Sequence, residues 1–383
     1  MNIEKLKLPE TAIEFLKSQG FKKLYPPQAD SVKSGLLDGK SILVSAPTAS
    51  GKTLIAMLSM LSYLSKNKGK VIYLSPLRAL AAEKFSEFKK LEKIAIGNKV
   101  KVAISTGDFE NIEKNLEKSN VLILTNEKMD SIIRHGAEWV DEIGLVISDE
   151  VHLIGDESRG PTLEMILTQL KLLETQPQIV GLSATITNSD EIADWLECKL
   201  VKNDWRPVPL SEGVCDEGQI TMSDGKTFEV ERSLMGTPID LGVQSVKEGG
   251  QSLVFAETRT RSKSLATKAA DTISKILEKK EISQLEKTSK KLLSENEHTE
   301  LVKTLATLVK KGVAFHHAGL NQKCRETIET EFRKGTIKLL SSTPTLAAGV
   351  NLPARRVVIS NVNRYNAKVG ANRPISILEY KQL

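Results

Sequence analysis

Two short stretches carry residue types that can do phosphate chemistry. The first is Ala46, Pro47, Thr48, Ala49, Ser50, Gly51, Lys52 and Thr53, set between the apolar run 41–44 and a helical pattern that opens at Leu54. Small residues let the backbone turn so that successive N–H groups point inward, and the positive end of the following helix faces the same space. An ammonium at Lys52 offsets the charge of β- and γ-phosphates and the Thr53 hydroxyl can hold Mg²⁺, so the loop predicts a nucleoside triphosphate site. The second stretch is Asp149, Glu150, Val151 and His152, directly after the apolar run 145–148. A carboxylate at a strand tip downstream of such a loop can hold the same ion, which makes Thr53 and Asp149 the metal ligands. Glu150 is placed to polarise an attacking water as general base. His152 is expected to join this site to Ser183, Ala184 and Thr185 by a hydrogen bond.

Strands must deliver these loops. Buried strands are predicted at 41–45, 71–75, 100–105, 121–125, 145–148 and 178–183, each ending in a small polar residue or running into one. Open α/β sheets place ligands at the carboxyl ends of their strands, so these tips should line one crevice. The pattern returns at 252–256, 313–316, 337–341 and 357–361, and this many strands suits two sheets better than one. The reading is α/β with two tandem domains, 1–200 and 201–383, each on a parallel sheet. Prolines at 207 and 209 mark an extended linker, and Asp224-Gly225 a hairpin turn. Residues 275–311 read as a pair of exposed helices whose charges form a solvated face.

Composition narrows the class. With 383 residues, 40% of them hydrophobic, and no apolar run near the ~20 needed to span a bilayer, the chain reads as a soluble protein free of membrane. Its amino-terminal segment lacks the apolar core of a secretory signal, and Cys198, Cys215 and Cys324 form no CxxC pair, which suits a reducing cytoplasm. The net charge of +6 is compatible with a polyanionic partner and equally with a solvated lysine-rich surface.

The motifs, in their order, resemble those of superfamily 2 helicases. The loop 46–53, the Asp149–His152 stretch and Ser183, Ala184, Thr185 stand as motifs I, II and III, with Ala46 in place of the usual first glycine. Tyr25, Pro26, Pro27 and Gln28 look like the adenine-reading Q-motif. Ser75, Pro76, Leu77 and Arg78 look like motif Ia; Thr106, Gly107 and Asp108, and Thr125 to Lys128, like the Ib and Ic elements. Thr258 and Arg259 stand in motif IV, His316 and His317 in IVa, and Thr343, Thr345 and Gly349 in motif V. The last two are close to archaeal Hel-type (Hjm) repair helicases, relatives of the helicase part of polymerase theta.

The resemblance implies two RecA-like domains clamping ATP and Mg²⁺ between them. Gln28, the loop 46–53 and Gly349 would bind nucleotide; Lys52, Asp149, Glu150 and His152 would be catalytic. Ser75, Pro76, Arg78, Thr106, Thr125, Lys128, Thr258, Arg259, His317, Thr343 and Thr345 would contact single-stranded DNA through its backbone. For Thr106, Thr125 and Thr343 a helix N-cap explains the residue as well as a phosphate does. The implied protein is a monomeric ATP-dependent DNA helicase or translocase of fork repair or recombination. RNA as the strand, or an ATP-gated binding fragment without efficient turnover, fits the same motifs. Residues 361–376 read as a hairpin tipped by Lys368 to Asn372, with Arg364 and Tyr365 placed to wedge a forked duplex. The family's motif VI, with its arginine finger, would begin where the sequence ends.

Overall fold

Runs of valine, isoleucine and leucine that are too apolar to alternate become strands buried on both faces, as a parallel sheet covered by helices on either side requires. The computed structural model describes residues 1–96, 98–107, 116–233, 235–346, 352–366 and 370–382. The chain divides into two compact units, Met1–Leu210 and Ser211–Leu383. The main sheet of the first unit has seven strands: β1 (Ile42–Ser45), β2 (Lys70–Ser75), β3 (Val102–Ser105), β4 (Val121–Thr125), β5 (Ile143–Ser148), β6 (Gln178–Ser183) and β7 (Lys199–Lys202). Their order in the sheet is β3-β4-β2-β5-β6-β1-β7, and every pairing is parallel. Strand β7, at one edge, is the strand of this sheet that the periodicity misses.

Alternate residues of β2 serve opposite layers. Val71 and Tyr73 pack with Ile55 and Leu58 of the helix Lys52–Lys66, while Ile72 and Leu74 pack with Ile166 and Leu170 of the helix Gly160–Lys171. Because all strands run one way, the tips Ser45, Ser75, Thr125, Ser148 and Ser183 share one edge. In the sheet β6 alone separates β1, which feeds the phosphate loop, from β5, which feeds Asp149.

The second unit opens on a three-stranded antiparallel meander, β8 (Gly213–Asp216), β9 (Gln219–Met222) and β10 (Thr227–Glu229), whose β9–β10 turn holds Gly225 at φ +82°. Its parallel sheet is built from β11 (Ser252–Phe255), β12 (Val313–His316), β13 (Leu339–Ser342) and β14 (Arg356–Ile359) in the order β12-β13-β11-β14. The hairpin β15 (Asn363–Asn366) and β16 (Ala371–Pro374) pairs Asn366 with Ala371. Ala371 and Asn372, expected in its tip, therefore belong to the return strand, and Lys368 lies outside the described residues.

The helices Lys279–Ser294 and Glu300–Lys310 correct the expectation of an exposed pair. Leu285, Leu292 and Leu305 are fully buried in the second unit's core, and the Ser289 hydroxyl donates to the Ala306 carbonyl at 2.8 Å. The charges that suggested exposure sit on the opposite faces of amphipathic helices. Leu305→Ala should thus destabilise the second unit by about 2–5 kcal/mol through lost burial and the cavity left behind. Equilibrium denaturant unfolding checks this; a change below about 1 kcal/mol would make the pair an appendage.

Candidate nucleotide site and nucleic-acid face

The loop 46–53 is strained and braced. Ala49 and Gly51 take φ values of +65° and +86°, the left-handed region that small residues tolerate best. A Cβ on Gly51 would lie 2.1 Å from Gln28 Nε2, so no larger residue fits there without displacing that amide. Gln28 is 2% exposed; its Nε2 donates to the Gly51 carbonyl at 3.1 Å and its Oε1 accepts from the Tyr25 N–H at 2.8 Å. The expected free adenine reader is thus first a brace between the helix Pro26–Lys33 and the loop, with one N–H and one lone pair left over. Beside it Tyr25 packs on Trp205 with ring centroids 4.6 Å apart.

Inside the loop, the Lys52 ammonium donates to the carbonyls of Ala46 at 2.9 Å and Pro47 at 3.3 Å. Burial pushes its pKa down, while Glu150 and Asp149 pull it back up. Ala46 and Pro47 are buried; Thr48 and Ala49 are exposed. The Ser50 hydroxyl is fully buried and has no hydrogen-bond partner in the structure. A buried orphan hydroxyl is costly, and in a loop of this shape a phosphate oxygen is the group that would satisfy it.

Asp149 follows β5 with its carboxylate held on both oxygens. The Tyr73 hydroxyl donates to Oδ2 at 2.5 Å and the Glu150 N–H donates to Oδ1 at 3.1 Å. Burial, then the Glu150 charge, raises the Asp149 pKa, against the Tyr73 hydrogen bond and the Lys84 and Lys52 charges. Burial first, and Asp149 second, keep the Tyr73 phenol well above its usual range, so it stays a donor. Glu150 takes φ +50°, a conformation uncommon for a side chain of its size. Thr53 and Asp149 offer hard oxygen donors of the kind Mg²⁺ takes, so the residues present fit that ion. Thr53 Oγ1 now accepts from the Lys84 ammonium at 2.7 Å.

His152 is joined to the residues at 183 and 184 as expected. Its Nδ1 accepts the Ala184 N–H at 3.2 Å, and the Ser183 hydroxyl, 3.4 Å away, donates instead to the Ala184 carbonyl at 2.8 Å. Glu150 Oε2 lies 3.4 Å from the same Nδ1. That contact is no ion pair, because burial and the Lys52 charge lower the His152 pKa to about 4 and its Nδ1 lone pair is already taken.

The residues expected to face a strand divide by exposure. Arg78, at the start of the helix Arg78–Phe88, and Thr258 and Arg259, at the start of the helix Arg259–Ser274, are exposed; Thr106 is half-buried. Ser75, Pro76, Thr125, Lys128, His317 and Thr343 are buried. Thr125 and Thr258 N-cap their helices by accepting from the Lys128 and Arg261 N–H groups, so each hydroxyl proton stays free to donate elsewhere. Ser75 donates its hydroxyl to the Leu77 carbonyl, and burial followed by the Arg259 charge lowers the His317 pKa. The Arg364 guanidinium pairs with the Glu379 carboxylate, which leaves it less open to a base than the sequence implied. The side chains of Thr345 and Tyr365, and all of Gly349 and Asp108, lie outside the described residues. Sequence reasoning missed Tyr73 and Lys84, because neither belongs to a recognisable motif and only the fold brings them to Asp149 and Thr53.

Among known proteins, residues 25–192 match the DEAD/DEAH box helicase family and residues 237–368 the helicase conserved C-terminal domain. The chain belongs to the superfamily 2 helicases that pair these two domains, each an α/β unit of the RecA-like kind. Over its full length it is a homologue of proteins named ATP-dependent DNA helicase Hel308. It is 44% identical to that of Methanocella arvoryzae, 43% to that of Pyrococcus horikoshii and 42% to that of Pyrococcus abyssi, covering 51% of each. The chain thus spans about half the length of the curated relatives it matches.

Neutral, buried His152 makes the fold acid-sensitive. Its folded pKa of about 4 lies below the ordinary 6.5, so the unfolded chain binds more protons between those values. The stability His152 confers is complete above about pH 6.5 and falls as the pH drops toward 4, by about 2 kcal/mol at pH 5. Unfolding free energies measured from pH 7.5 to 4.5 should fall less steeply for His152→Gln; parallel curves would exclude this role.

Proposed function

We propose that the chain is the ATP-dependent motor of a DNA helicase, binding ATP on the 46–53 loop and gripping single-stranded DNA by its backbone. The observation that carries this reading is the partnerless, buried Ser50 hydroxyl inside a strained loop whose lysine, metal-donor hydroxyl and facing carboxylates converge on one sheet edge. Lys52 would exchange the Ala46 and Pro47 carbonyls for phosphate oxygens. Thr53 and Asp149 would hold Mg²⁺, which offsets phosphate charge when bound. Glu150, beside Asp149 and unable to pair with neutral His152, keeps a carboxylate for orienting and deprotonating water. The words DNA helicase in the relatives' printed name support DNA as the strand. We further read the protein as a monomer and as cytoplasmic, the free thiols of Cys198, Cys215 and Cys324 suiting a reducing compartment.

ATP hydrolysis measured alone, with single-stranded DNA and with single-stranded RNA tests the reading. DNA should stimulate more than RNA; stimulation by RNA alone would make it an RNA motor, and ATP binding without turnover under any condition a gated binding module. Lys52→Ala should weaken ATP·Mg²⁺ binding about 10- to 100-fold, the worth of hydrogen bonds from a charged group. Glu150→Gln should bind normally and hydrolyse about 10²–10⁴ times more slowly. Unchanged affinity in the first, or unchanged turnover in the second, would displace the site.

The exposed arginines at two helix starts set the strand's track. Neutralising Arg78 or Arg259 should each lower the slope of log K against log salt for single-stranded DNA by about one. Fluorescence anisotropy across a salt series reads that slope. Wild-type slopes in both variants would move the track elsewhere.

A further inference from the structure

We propose that Lys84 is a built-in cation that holds the Thr53 hydroxyl while the nucleotide site is empty and must release it before Mg²⁺ and nucleotide bind together. The inference rests on the reading of Thr53 as a magnesium ligand. Lys84 comes from the helix Arg78–Phe88, outside the phosphate loop, yet its ammonium lies 2.7 Å from Thr53 Oγ1. The Lys84 side chain is 11% exposed, while its carboxylate neighbours Glu83 and Glu87, at 3.8 and 3.4 Å, are 34% and 35% exposed. A lysine that served those glutamates alone would keep its charge outward with them and shed the cost of burial. It points inward instead, to the neutral Thr53 hydroxyl, where its charge is felt by the Asp149 carboxylate.

A donor hydrogen bond to Oγ1 uses a lone pair that the metal would need, and an ammonium this close repels a divalent cation. Lys84 therefore competes with Mg²⁺ for one atom. While the site is empty it offsets the carboxylate charge that the metal would otherwise offset. Mg²⁺·nucleotide binding then includes the work of moving it.

The test is equilibrium binding of a fluorescent ADP analogue to the full chain, with Mg²⁺ and with EDTA, for wild type, Lys84→Met, Lys84→Gln and Thr53→Val. Removing the competitor should tighten binding with Mg²⁺ by about fivefold, the scale of one charge-assisted hydrogen bond net of solvation, and leave binding in EDTA no tighter. Both Lys84 variants should also melt at a lower temperature than wild type without nucleotide, and a melting transition confirms that each is folded. A Mg²⁺ advantage that is unchanged or smaller in both overturns the proposal. So does weaker binding with and without metal, which would make Lys84 a phosphate ligand. Thr53→Val separates the two levels: losing the Mg²⁺ advantage upholds the metal site whatever Lys84 does, and keeping it in full removes that site and the proposal with it.

Discussion

Charge buried at the carboxyl edge of the first sheet is the constraint on which the site depends. Lys52, Lys84 and Asp149 are taken largely out of water, and a buried charge left alone costs several kcal/mol. Each is satisfied by a group close at hand: loop carbonyls for Lys52, the Thr53 hydroxyl for Lys84, the Tyr73 phenol and the Glu150 N–H for Asp149. These are hydrogen bonds to neutral groups that a nucleotide phosphate or a metal can take over, because a charged partner offsets a buried charge better than a neutral one does. The buried charges are therefore satisfied by the chain itself, through partners that a ligand can replace.

The sheet makes that convergence possible. Parallel pairing through all seven strands puts every carboxyl end on one edge, so residues far apart in the chain meet there without long connecting loops. Burial on both faces holds the edge rigid. Strand β2 shows how: its alternate side chains key into two helical layers, and one of them, Tyr73, has its ring in the core against Phe88 while its hydroxyl reaches Asp149. Backbone strain at Ala49 and Glu150 falls in the two loops that carry the chemistry, although Gln176, Glu197 and Glu217 also take positive φ elsewhere. Strain at such positions persists only where the surroundings hold it, and the Gln28 amide wedged against Gly51 is one such support.

On the face expected to meet a strand, small polar residues are already in use as helix caps. Thr125 and Thr258 each cap a helix with an oxygen lone pair. N-cap and phosphate contact are compatible uses of one hydroxyl, since capping spends an acceptor and leaves the donor. Exposure then singles out Arg78 and Arg259 as the charges with reach, because Lys128 is only 9% exposed.

Local order was legible in the sequence wherever the chemistry is local. The phosphate loop, the Asp149–Glu150 pair, the strands that feed them and the Asp-Gly hairpin each need only neighbours in the chain, and apolar runs ending in small polar residues announce them. What the sequence could not decide is which side chains from other elements would meet these loops. Lys84 and Tyr73 look like an ordinary helix lysine and an ordinary core aromatic until the crossover connections bring them to Thr53 and Asp149. The helices Lys279–Ser294 and Glu300–Lys310 show the same limit: their dense charge suggested a solvated pair, and the burial of Leu285, Leu292 and Leu305 depended on a sheet formed by strands on either side of them. Composition and period are properties of a segment, whereas burial and partner choice are properties of the packed whole, and only tertiary structure supplies the second.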